Sequence, residues 1–138
     1  MQKKLKVSEE EASTILKSVC EAVGELHHHQ IVHRDIKPEN IVMCYGMAKI
    51  CDFGWSTEVK DSMRETFCGT PLYVSPELLS GQLYDEKVDL WAIGILGYEM
   101  MTGSIPFSIK TEKDLAKIIE SKIIFPKWMS KESLTFLQ

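Results

Sequence analysis

The stretch from Val88 to Thr102, VDLWAIGILGYEMMT, is apolar on nearly every side of a helix. A helix without a polar face cannot rest on a surface and has to be enclosed. The most apolar part, Leu90 to Met101, is shorter than the ~20 residues that cross a bilayer. It also contains Gly94, Gly97 and Glu99, and Asp89 precedes it. We therefore read residues 88–101 as a central buried helix with the rest of the chain packed around it. At 138 residues and 15.7 kDa the chain suits one domain large enough to do this.

Ser8 with Glu11 three residues on forms a capping box, and Ala12, Ile15, Leu16, Val19, Val23 and Leu26 follow at helical spacing. This predicts a long amphipathic helix from about residue 9 to His27-His28-His29. The histidine run reads as the polar end of that helix rather than a metal site, because consecutive residues splay around a helix. Ile31-Val32, Ile41–Met43 and Ala48–Cys51 read as short strands, the last two joined by a turn at Tyr45-Gly46. From Asp52 to Ser80 there is little periodicity, and an irregular segment that long usually serves function. Thr111 with Asp114 predicts a helix through about Glu120, and another begins near Ser130.

The net charge of −4 offers no basic face for nucleic acid. Cys20, Cys44, Cys51 and Cys68 lack C-x-x-C spacing, and the opening MQKKLKVSEEE lacks the apolar stretch of a secretion signal. We expect an intracellular protein of the cytoplasm or nucleus, with neither membrane nor nucleic acid as partner.

HRDIKPENIV, residues 33–42, concentrates His33, Arg34, Asp35, Lys37, Glu39 and Asn40 beside an apolar pair. Polar groups so dense next to a buried run are costly unless they are used. His33-Arg34-Asp35 is followed five residues after the Asp by Asn40, then by Asp52-Phe53-Gly54, then by Ser75-Pro76-Glu77. Each tripeptide alone is a weak signal, but their order and spacing together are specific.

On these motifs the chain resembles the protein kinase family, over essentially its whole length. The implied fold is protein kinase-like and C-lobe only: predominantly α-helical, with a few short β-strands around the catalytic loop. The catalytic loop would be residues 33–40 and the activation segment 52–77. Lys37 in H-R-D-x-K-P-E-N is similar to Ser/Thr kinases. DFGWS and YDEKVDLWAIGILGYE resemble the Aurora family, whereas Pro71, Ser75, Glu65 and Ile105 depart from its usual pattern.

The resemblance implies ATP and Mg²⁺ as cofactors. Phosphoryl transfer asks a protein for positioning and charge neutralisation. Asp35 would accept the proton of the substrate hydroxyl, and Lys37 would place a positive charge on the phosphate. Asp52 and Asn40 would hold Mg²⁺, a cation that prefers oxygen donors. Val42 would lie under the adenine. Thr70 would bond Asp35 and Lys37 and help place the substrate. Glu39 would attract a basic residue near the target Ser or Thr. Arg34 would pair with a phosphate on Thr66. His33, Phe53, Gly54, Glu77 and Asp89 would be structural, with Asp89 bonding the backbone of the His-Arg-Asp turn. Cys51 is expected to face the nucleotide pocket.

The sequence contains no G-x-G-x-x-G and no V-A-I-K lysine. The resemblance therefore implies that the N-lobe is absent, that the C-terminal end is truncated, and that the isolated chain transfers little phosphate. The alternative is a non-catalytic binding module on the same scaffold. Either way, an uncovered apolar surface around Val42 and Phe53 is expected to favour self-association. An activating protein partner is the other interaction the family pattern suggests.

Overall fold

The computed structural model describes residues 6–58, 72–107, 118 and 122–138. Helix α1 (Glu9–His28) starts at Ser8, whose Oγ accepts the Glu11 N–H at 3.1 Å. Glu9, Glu10 and Glu11 occupy its first turn, where carboxylates suit the helix dipole. Ala12, Leu16, Val19 and Val23 make its buried stripe.

That stripe packs on α3 (Lys87–Thr102), the central helix expected from its composition. Val88, Ala92, Ile93, Ile95, Leu96, Met100 and Met101 of α3 are buried, while Leu90 looks outward at 54% exposure. Gly97 lets the neighbours approach closely. A Cβ there would sit 3.1 Å from Leu16 of α1 and 3.3 Å from Leu137 of α4 (Lys131–Leu137). Gly103, at φ +79°, ends α3 in the left-handed conformation that glycine adopts without strain. Trp91 stacks on Phe107 with ring centroids 5.9 Å apart, a packing role.

Helix α4 is capped by Ser130, whose Oγ accepts the Ser133 N–H at 3.1 Å. Glu9 Oε1 accepts the Ser130 N–H at 2.9 Å, which ties the start of α4 to the start of α1.

The strands form two antiparallel pairs. β2 (Ile41–Cys44) and β3 (Met47–Ile50) make a hairpin in which Ile41 faces Ile50 and Cys44 faces Met47. Tyr45 at φ +50° and Gly46 at φ +79° give the two positive-φ residues that a tight hairpin turn requires. β2 ends one residue later than the sequence suggests, and β3 starts and ends one residue earlier. β1 (Ile31–Val32) pairs with β4 (Thr57–Glu58), two residues inside the run read as irregular. The one-turn helix α2 (Pro76–Leu79) lies in the same run and was also not expected. Both are too short to show periodicity. The helix predicted after Thr111 falls almost wholly outside the described residues.

Two buried clusters result. The larger joins α1, α3 and neighbouring loops. The smaller gathers Val32, Val74, Leu78, Tyr84 and Val88 around β1, α2 and the start of α3. Val32 of β1 belongs to the smaller cluster, and Ile36, between β1 and β2, to the larger.

Candidate active site

The turn after β1 is fixed from below by α3. Asp89, wholly buried in the first turn of α3, accepts the His33 N–H on Oδ2 at 2.9 Å and the Arg34 N–H on Oδ1 at 2.8 Å. A buried carboxylate needs such donors. It has a third: His27 Nε2 lies 2.9 Å from Asp89 Oδ2. His27 therefore differs from the other two residues of the histidine run. It turns inward at the end of α1 and joins the support of the turn. Among the described residues no group of three or more His, Cys, Asp or Glu is placed to hold a metal ion.

Arg34, at φ +67°, bends the chain between His33 and Asp35. Such backbone is costly for a non-glycine residue and persists where its surroundings impose it. Asp35 is 4% exposed. Lys37 Nζ donates to Asp35 Oδ2 at 2.7 Å. Asn40, at the end of a short 3₁₀ turn (Pro38–Asn40), donates its Nδ2 to the same oxygen at 2.9 Å and to the Asp35 carbonyl at 2.8 Å. Both side-chain donors fall on Oδ2, so Oδ1 takes neither.

The hairpin brings Asp52 beside this group. Cys51 N–H donates to the Asn40 carbonyl at 2.9 Å, extending the β2–β3 pairing by one step. Asn40 and Asp52 thus flank the open end of the hairpin although twelve residues apart. Asp52 is exposed, at φ +64°, and its Oδ1 accepts the Gly54 N–H at 3.2 Å. A Cβ on Gly54 would also meet that oxygen at 3.2 Å. The half-buried Cys51 thiol is directed to the Asn40 carbonyl at 3.4 Å.

His33 is buried, with the Asp35 N–H donating to its Nδ1 at 3.3 Å. Burial holds its pKa below the usual imidazole value, against the opposing pull of Asp89, the Cys51 backbone, Asp35 and Asp52. The Phe53 ring meets the His33 ring edge to face at 5.1 Å, yet half of Phe53 remains exposed. Val42 is half exposed too, with Met43 and Met47 beside it on the hairpin.

The remaining candidates are scattered around this centre. Glu39 is exposed, and Glu77 is half-buried in the first turn of α2. Arg34 reaches across the turn: Nε donates to the Trp55 carbonyl at 2.6 Å and Nη1 to the Tyr84 hydroxyl at 2.8 Å. Tyr73, near the end of the irregular run, donates its hydroxyl to Glu99 of α3. Burial and then Glu99 push the Tyr73 phenol above its ordinary pKa. Thr66 and Thr70, with Cys68, Gly69 and Pro71, lie outside the described residues.

Sequence reasoning missed His27, Tyr84 and the Trp55 carbonyl. Each acts on a residue far along the chain, and nothing local marks it.

A sequence profile of the protein kinase domain matches residues 1–137. "Aurora kinase A-B" of Xenopus laevis is 40% identical over 136 residues, covering 96% of this chain and 33% of the relative. "Aurora kinase B-A" of the same organism is 38% identical over 135 residues, covering 96% of this chain and 37% of the relative. "Aurora kinase B" of Danio rerio is 41% identical over 125 residues, covering 89% of this chain and 39% of the relative. The chain spans between a third and two fifths of the length of these relatives.

Proposed function

Because this chain belongs to the protein kinase family, we propose that it carries the catalytic loop of a protein serine/threonine kinase, which transfers the γ-phosphate of ATP to Ser or Thr hydroxyls. The observation that carries this reading is the Asp35 carboxylate, held on Oδ2 by Lys37 at 2.7 Å and by Asn40 at 2.9 Å. A carboxylate locked on one oxygen has the other directed for a substrate hydroxyl. Lys37 sits where it can neutralise charge on a phosphoryl group.

The residues fit Mg²⁺. Asn40 commits its amide nitrogen to Asp35, which leaves its amide oxygen for a cation. Asp52 commits one oxygen to Gly54 and keeps the other. Both are the hard oxygen donors that Mg²⁺ takes. When bound, the ion would draw off negative charge from the ATP phosphates. Asp35 would orient the acceptor hydroxyl and take its proton, and Val42 would pack against the adenine.

These residues belong in the C-lobe of the fold, with the catalytic loop at 33–40 and the activation segment at 52–77. Residues 1–138 contain no glycine-rich phosphate loop and no V-A-I-K lysine. Alone, this stretch is expected to transfer phosphate poorly. Glu39 favours substrates with a basic residue near the target. Thr70 would assist in placing them, and Arg34 would pair with a phosphorylated Thr66. Among the described residues no helix is long and apolar enough to cross a membrane. From the ATP-dependent activity proposed here, we place the protein inside the cell. The test is Mg²⁺-dependent transfer from ATP to a Ser peptide with an upstream Arg, comparing wild type with Asp35→Asn. Transfer that survives in the variant would overturn the assignment of Asp35.

A further inference from the structure

Arg34 is held from three sides. Its backbone N–H is bound by Asp89 at 2.8 Å, its Nε by the Trp55 carbonyl at 2.6 Å, and its Nη1 by the Tyr84 hydroxyl at 2.8 Å. Fixing a long cationic side chain costs rotamer entropy. Here the two side-chain bonds go to neutral oxygens, so neither cancels the positive charge. They use two of the five N–H groups of a guanidinium, leaving three in its planar fork. Tyr84 is itself immobilised, 8% exposed among Val32, Val74, Leu78 and Val88. A cation clamped by neutral acceptors is ready to receive a phosphate, because its geometry is set before the anion arrives.

We propose that Tyr84 is a positioning residue: with the Trp55 carbonyl, it holds the Arg34 guanidinium as a preformed receptor for a phosphate monoester. The proposal deepens the reading of Arg34 as the regulatory cation of a kinase and rests on it for its biological use. The chemistry can be tested without turnover.

The full chain, labelled with ¹⁵N, is titrated with inorganic phosphate at constant ionic strength while the Arg34 Nε–Hε resonance is followed. The wild type is expected to show a saturable shift. Tyr84→Phe keeps the ring and removes the acceptor, and should weaken phosphate binding at least about threefold, as loss of a bond to a charged group implies. An unsaturable wild-type response, or equal affinity in Tyr84→Phe, would overturn the proposal. If Tyr84→Phe also melts lower than wild type, Tyr84→His decides, since it restores an acceptor. Recovered affinity supports the positioning role, and affinity as weak as that of the Phe variant refutes it. A missing phosphate response leaves the phosphoryl-transfer reading standing, and a missing kinase activity leaves this result standing.

Discussion

Asp89 and His33, 56 residues apart, are joined by a 2.9 Å bond from the His33 backbone N–H to a carboxylate with no solvent exposure. That bond sets the His-Arg-Asp turn on the central helix. With the Arg34 N–H and the His27 ring on the same carboxylate, α1, α3 and the turn share one anchor. Removing the carboxylate leaves buried donors without partners. Asp89→Ala should cost about 3–5 kcal/mol of stability, read from urea unfolding. A loss below about 1 kcal/mol would mean that water replaces the carboxylate, and that the anchor is not structural.

His33 makes stability depend on pH. Its folded pKa lies below the ordinary value of 6.5, chiefly because it is buried. The unfolded chain therefore binds this proton more readily than the folded one. The His33 contribution is complete above pH 6.5 and falls as the pH drops through the interval below it. Unfolding midpoints between pH 7.5 and 5 should show this decline, and His33→Gln should flatten it. An unchanged slope in the variant would assign the decline to other groups.

The Glu9–Ser130 bond behaves in the opposite sense to an alkaline switch. The Ser130 backbone donor holds the Glu9 carboxyl below its ordinary pKa. The attachment is present at neutral pH and is lost as the pH falls through the carboxylate range. Hydrogen exchange of α4 amides, corrected for intrinsic rates, should quicken in Glu9→Gln at pH 7. At low pH the variant and wild type should converge. Equal protection at pH 7 would show that the α4 attachment does not depend on Glu9.

Val42, Met43, Met47 and Phe53 are each about half exposed, together on and beside the hairpin. Apolar groups gathered in this way tend to associate. Light scattering should show concentration-dependent dimers that Phe53→Ser weakens. A monomer at high concentration would count against this face as an association surface.

What the sequence disclosed follows the range of each signal. Helix α1 was marked by Ser8 and Glu11 and by its apolar spacing. The hairpin was marked by Tyr45-Gly46, and α3 by having no polar face. These are local patterns that local physics enforces. The side-chain cluster of Asp35, Lys37 and Asn40 is also local, spanning six residues, so a motif could announce it. β4 and α2 were hidden because two and four residues carry no period. His27 was hidden because three adjacent histidines do not say which one faces inward. Its partner Asp89 lies 62 residues on, and only the packing of α1 on α3 brings them together. Tyr84 was hidden for the same reason, 50 residues from Arg34.

Asp35, supported by Lys37 and Asn40, is proposed to work in phosphoryl transfer. The most direct measurement isolates the native protein from its source cells and assays transfer from Mg²⁺-ATP to a basic Ser/Thr peptide. The same protein carrying Asp35→Asn is assayed beside it. Transfer by the wild type and a loss of at least about 100-fold in the variant are expected, within the range for removing a catalytic base. No transfer by the native protein, or equal transfer by the variant, would contradict it and favour a binding module on a kinase scaffold.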